Sequence, residues 1–111
     1  MSMDSREGAG VTDPATTRTA RASVLITHDI GLHARPSVKL TKLAKRFDAT
    51  IDVALSKDGP WFDAKSIVKV MAAKAPRDTT LHFRAQGVDA EAAVLALADL
   101  VRSDFQDDRR D

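Results

Sequence analysis

"DIGLHARPSVKLTKLAKRF", Asp29 to Phe47, sets a histidine and an arginine two residues apart, immediately before a proline. Beyond that proline, Leu40, Leu43, Ala44 and Phe47 recur at i, i+3, i+4 and i+7, the spacing of one apolar stripe on an α-helix. Lys39, Lys42, Lys45 and Arg46 fall off the stripe. Proline suits the first helical turns, because its ring fixes φ near the helical value and its missing N–H would have no partner there. The spacing therefore predicts a helix from about Pro36 to Phe47 with His33 at its entrance. Three roles are open to that histidine: a cap, a metal ligand, or a group that handles an anion.

Working outward, "ASVLITHD" before the motif is a β-branched run with Val24 and Ile26 on one face, and it reads as a strand from about Ala22. After the helix, "TIDVAL" alternates Ile51, Val53 and Leu55 with polar or small residues. "SKDG" then turns the chain into a short partner strand, "PWFDA". Trp61 and Phe62 are expected to anchor this hairpin to the domain. "KSIVKVMAAKA" reads as a second helix, with Ile67, Val70 and Met71 inward, Asp63 as its candidate cap and Pro76 limiting it. "TTLHFRAQG" alternates Leu81, Phe83 and Ala85 with His82, Arg84 and Gln86, a strand with one buried and one wet face. Asp89 is the candidate cap of a last helix in which Ala90, Val94, Leu97, Val101 and Phe105 share a face. The order βαββαβα, with half-buried strands and singly striped helices, predicts an α+β fold: a four-stranded antiparallel sheet covered by three helices on one side.

Composition bounds what such a domain can do. The 111 residues, 43% of them apolar, suffice for one core and are too few for two domains. A net charge of +1 argues against wholesale nucleic-acid binding, which needs a strongly basic face. Without cysteine there is neither a disulfide framework nor a thiolate nucleophile, and the three histidines lack zinc-site spacing, so no metal is expected. A reducing cytoplasm fits. Residues 1–21 are rich in small and polar residues, with balanced charges and no apolar run for a membrane, and are expected to form a disordered extension; 106–111 reads as a polar tail.

The entrance of the first helix carries the chemistry. Unpaired N–H groups near Ala34, Arg35 and Ser37 and the positive end of the macrodipole make it an anion site. Arg35 adds a planar guanidinium able to hold two phosphate oxygens. A positive potential disfavours imidazolium, and a neutral imidazole can be a nucleophile. The dipole contributes about 0.3–1 kcal/mol and a charge-assisted hydrogen bond about 1.5–3 kcal/mol, enough to position a phosphoryl group and far below a full catalytic barrier. The sequence has no P-loop, kinase glycine loop or magnesium-binding carboxylate cluster, so a partner must donate the group.

"GLHARPSVKLTKLAKRF" followed by "AKSIVKVMAAKA" closely resembles the HPr phosphocarriers of the bacterial phosphoenolpyruvate-dependent phosphotransferase system, including their nitrogen-related paralogues. The resemblance covers about Ala22 to Phe105. It implies the open-faced β-sandwich with sheet order 1-4-2-3, in a cytoplasmic, monomeric carrier without a cofactor. Such a carrier takes phosphate from phosphorylated enzyme I and passes it to an EIIA-type protein, for sugar uptake or nitrogen-related regulation. His33 would be phosphorylated through Nδ1, with Arg35 and the Ala34 and Arg35 backbone holding the phosphate. In some family members the serine matching Ser66 is phosphorylated by an HPr kinase/phosphorylase, which would make the domain a regulatory module. The same serine is equally placed to satisfy backbone donors at a helix start.

Charge and apolar residues around the motif define an expected docking face. Between Asp29 and Asp48 lie five basic residues (Arg35, Lys39, Lys42, Lys45 and Arg46) and no acid, a pattern suited to steering towards acidic partners. Val38, Ile67, Val68 and Met71 are expected to add an apolar contact patch, and Lys42 and Lys45 match partner-contacting positions of the family. Two departures from the family pattern stand out: Ile30 replaces a common polar residue, and Lys74 and Ala75 occupy a stretch that commonly holds a glycine helix cap.

Overall fold

The computed structural model describes residues 18–28 and 31–105. Asp29, Ile30, most of the expected extension (1–17) and the expected tail (106–111) lie outside the described residues. The elements are β1 (Thr19–Leu25), α1 (Ala34–Ala44), β2 (Thr50–Ala54), β3 (Phe62–Asp63), α2 (Ile67–Ala73), β4 (Thr80–Gln86) and α3 (Ala90–Arg102). They form one antiparallel sheet of order β1-β4-β2-β3, the expected 1-4-2-3 arrangement.

Central β4 sets the register, pairing Thr19↔Gln86 through Leu25↔Thr80 on one side and Thr50↔Gln86 through Ala54↔His82 on the other. Its alternation decides the two faces. Leu81, Phe83 and Ala85 are buried with Val24, Ile51 and Val53 against Leu40, Val70, Val94, Leu97 and Val101 of the helices. Fully burying a side chain of this size contributes about 1.5–3 kcal/mol. On the open face, the Arg84 guanidinium lies 4.2 Å from the Trp61 ring centroid and 3.2 Å from Asp52, which fastens the β2–β3 connection to the sheet.

Several expectations are corrected, among them the end of α3, which stops at Arg102, so that Phe105 is buried from a left-handed turn beyond the helix rather than on it. β1 begins at Thr19, three residues inside the expected extension, because β4 continues to Gln86 and gives Thr19, Ala20 and Arg21 partners. Helix α1 starts at Ala34, since the first i→i−4 bond runs from the Ser37 N–H to the His33 carbonyl; it ends at Ala44, where Arg46 and Phe47 donate three residues back and tighten the last turn. Helix α2 is capped by Ser66, whose hydroxyl accepts from the Lys69 N–H at 3.2 Å, whereas Asp63 holds the preceding turn through the Lys65 N–H; of its residues only Val70 is buried, and Met71 faces outward. Asp89 stands at the N-cap of α3, but its carboxylate accepts from the Asp48 and Ala49 N–H groups at 2.9 and 2.8 Å, clamping α3 to the loop after α1.

Candidate functional site

The site is built where two loops lie back to back. The Leu32 N–H donates to the Ala75 carbonyl at 2.8 Å, joining the chain just before His33 to the turn after α2. Gly31, at φ +68°, permits this approach: a Cβ there would lie 2.4 Å from the Ala75 oxygen. Behind the entrance, the Ser37 hydroxyl donates to the Leu32 carbonyl at 3.3 Å, and Thr41 donates to the Ser37 and Val38 carbonyls at 3.1 Å. Pro36 and Ser37 are buried while His33, Ala34 and Arg35 are exposed, so the helix start is fixed from below and open above.

His33 is the N-cap residue of α1, with extended backbone angles and no capping bond from its side chain. The cap role considered for the imidazole is therefore not the one it plays. Pro36 contributes no N–H and Ser37 spends its own on the His33 carbonyl, so Ser37 drops out of the expected donor set. The N–H groups of Ala34 and Arg35 remain, without acceptors among the described residues.

His33 and Arg35 open onto adjacent hollows that share Ala34. One, of about 790 Å³, is lined by Leu32, His33 and Ala34 on one wall and by Met71, Lys74, Ala75, Pro76 and Arg77 on the other. The second, of about 710 Å³, is lined by Ala34, Arg35, Val38, Lys39 and Lys42. The Arg35 side chain has no hydrogen-bond or ion-pair partner among the described residues, and it is available to an anion above Ala34.

The expected docking residues separate. Val68 is 74% exposed, Val38 41% and Met71 40%, whereas Ile67 is half-buried. Lys42 lines the same hollow as Arg35, whereas Lys45 lies outside both hollows, roughly 18 Å along the helix from His33 at 1.5 Å of rise per residue. Lys39 donates to the Phe105 carbonyl at 2.7 Å and so braces the turn that follows α3, a structural duty the charge pattern did not foresee. Ser66 is half-buried and serves as a helix cap. Lys74 and Arg77, absent from the sequence-derived site, stand across the hollow from His33; the missing helix-cap glycine was the signal that the chain is unusual there. Lys74 ends α2 in the left-handed region (φ 50°, ψ 41°), a conformation costing a residue with a side chain about 1–2 kcal/mol.

Among the described residues, no group of three or more His, Asp or Glu is placed to hold a metal, and no helix is long and apolar enough to cross a membrane.

The family model described as "PTS HPr component phosphorylation site" matches residues 20–103. The phosphocarrier protein HPr of Xylella fastidiosa is 34% identical over 85 residues, covering 77% of this chain and 93% of that protein. A multiphosphoryl transfer protein of Vibrio cholerae is 42% identical over 86 residues, but the chain spans only 22% of that protein's length. Among solved structures, HPr from Thermoanaerobacter tengcongensis superposes with a TM-score of 0.72 at 32% identity, covering 80% of this chain and 98% of that one. With a whole-domain match in both sequence and fold, the chain belongs to the HPr phosphocarrier family of the phosphotransferase system.

Proposed function

We propose that His33 is the phosphoryl acceptor of a cytoplasmic, monomeric phosphocarrier, charged by phosphorylated enzyme I and discharged to an EIIA-type protein. One observation carries the reading: the imidazole is exposed and uncommitted at a helix entrance whose Ala34 and Arg35 N–H groups lack acceptors among the described residues. In the forward step the lone pair of Nδ1 attacks phosphorus while the bond to the donor atom of enzyme I breaks, its electron pair staying with the donor. This requires the neutral ring with its proton on Nε2. The backbone donors and Arg35 then hold the phosphoryl oxygens until an acceptor presents its own nucleophile.

Exposed Val38, Val68 and Met71, with Lys42 and the more distant Lys45, form the docking face for partners with acidic rims. Incubation with phosphoenolpyruvate and the cognate enzyme I tests the reading. Acid-labile phosphate is expected on the wild type and absent from His33→Ala; a wild type that takes no label sinks it.

A second reading, regulation through Ser66, draws support from the position of its half-exposed hydroxyl next to Ile67 and Val68. Phosphorylation there would add about 1.5–2 negative charges beside the docking face and replace the hydroxyl that accepts from Lys69. Labelling by ATP and an HPr kinase/phosphorylase that survives in Ser66→Ala would exclude it.

A further inference from the structure

We infer that Lys74 is a second cationic contact for the phosphoryl group on His33, reaching it from the wall opposite α1. The inference rests on the phosphoryl-acceptor reading of His33. Three observations support it. Lys74 and His33 line the same hollow, and the Leu32–Ala75 hydrogen bond fixes their two loops against each other. The Lys74 side chain is exposed and has no hydrogen-bond or ion-pair partner among the described residues. Its backbone is left-handed, where glycine or asparagine would sit with less strain, so the residue type is not chosen by the turn. A cation does complement the C-terminal end of α2, but a lysine one turn earlier would do so without that strain.

Among the described residues, the charged side chains that share or adjoin the hollow of His33 are cationic, and Arg77 has an interaction of its own, which leaves Lys74 as the uncommitted charge on that wall. Lys74 and Arg77 line the far wall, and Arg35 stands beyond Ala34 on the near side. A phosphoryl group on Nδ1 brings negative oxygens between Lys74 and Arg35, and a flexible ammonium on a long stem can meet them from the far wall while Arg35 meets them from the near side. The consequence is a longer-lived phosphohistidine. In spontaneous hydrolysis, water adds to phosphorus as the P–Nδ1 bond breaks, releasing inorganic phosphate and returning the neutral imidazole with a proton from the water. Protonation of the ring assists that departure, and a cation held at the phosphoryl oxygens disfavours it.

The test measures the lifetime of phosphorylated protein after enzyme I is removed, at low and high salt, beside a thermal melt. Lys74→Gln and Lys74→Gly are expected to shorten the lifetime about two- to five-fold, the effect of losing one exposed ion pair, and Lys74→Arg to preserve it. In 0.5 M salt the difference should shrink towards unity. Lys74→Gly should also melt higher than the wild type, because it relieves the left-handed backbone, so a shorter lifetime in this variant is not a loss of fold. A Lys74→Gln lifetime equal to the wild type, or an Arg variant as short-lived as the Gln variant, overturns the inference while leaving the carrier reading intact. A wild type that accepts no phosphate overturns both.

Discussion

Replacing Gly31 by alanine is expected to damage fold and site together, and the size of the damage follows from the geometry. At φ +68° an alanine pays the left-handed penalty of about 1–2 kcal/mol. Its Cβ would also stand 2.4 Å from the Ala75 carbonyl oxygen and 2.9 Å from the Pro76 Cα, and both of those atoms are backbone. No side chain can swing away, so the two loops must part. Parting them breaks the 2.8 Å bond from Leu32 to Ala75, worth about 0.5–1.5 kcal/mol. Together these losses come to about 1.5–3.5 kcal/mol, a large share of the roughly 5–15 kcal/mol that holds a domain folded. Thermal unfolding followed by circular dichroism should show Tm lowered by roughly 10–20 °C. Labelling by phosphoenolpyruvate and enzyme I, run well below that midpoint, should also slow, because the wall carrying Met71 and Lys74 moves away from His33. Gly87→Ala is the control. Gly87 sits at φ +137°, and a Cβ there would lie 3.0 Å from the Ala49 Cα, away from the residues lining the His33 hollow. It should lower Tm while leaving the labelling rate of the folded protein unchanged. A Gly31→Ala protein that melts within about 3 °C of the wild type would refute the claim that the loops are packed backbone to backbone.

Two further substitutions probe the supports around the site. The Asp89 carboxyl is held below its ordinary value by the Asp48 N–H above all, helped by the Ala49 N–H, its own backbone and Lys65, against the desolvation that opposes them. A depressed carboxylate stabilises the fold above its unfolded pKa and loses that contribution as pH falls through the folded value. Asp89→Asn should therefore cost about 1–2 kcal/mol in urea unfolding at pH 7, with the gap from the wild type closing below about pH 4; a gap that stays constant on acidification would exclude the clamp. Ser66→Ala removes the acceptor for the Lys69 N–H and should cost about 1 kcal/mol while leaving phosphorylation of His33 intact, so a variant as stable as the wild type would show that the cap contributes nothing.

The parts of this molecule legible in its sequence are those governed by a repeating pattern. Alternation along "TTLHFRAQG" assigned both faces of β4, and the residues assigned inward are buried. The stripe through Ala90, Val94, Leu97 and Val101 did the same for α3, whereas Phe105, expected on the same helix, is buried from the turn beyond it. What escaped was decided between segments. Arg18 to Arg21 look like solvated chain until Gln86 offers Thr19 a partner and Gly87 donates to the Arg18 carbonyl. Asp89 has the residue type and position of a cap, yet two amides from the loop after α1 are better donors than those of its own helix. Lys39 reads as one of a row of equivalent cations, and only the tertiary fold brings the Phe105 carbonyl to it. The motif likewise announced the near wall of the site, because His33, Ala34 and Arg35 are contiguous. Its far wall is contributed some forty residues later by a turn whose closeness depends on Gly31.

This division between a buried frame and exposed contacts bears directly on what a carrier must do. Pro36, Ser37 and Thr41 are buried and hold the helix start in place, so the donors at Ala34 and Arg35 need no reorganisation when a phosphoryl group arrives. The groups that would touch the phosphoryl are all at the surface, where the helix dipole contributes about 0.3–1 kcal/mol and a charge-assisted bond about 1.5–3 kcal/mol before solvent screening. A few such contacts hold the group firmly enough to outlast a diffusional journey between partners. A deeply buried cradle with several more would stabilise the phosphorylated state by additional factors of ten per 1.4 kcal/mol, and an acceptor offering a similar set of donors could no longer take the group. On the proposed role, shallow hollows and uncommitted cations are therefore the condition for passing a phosphoryl group on, because each contact made on loading has to be released on delivery.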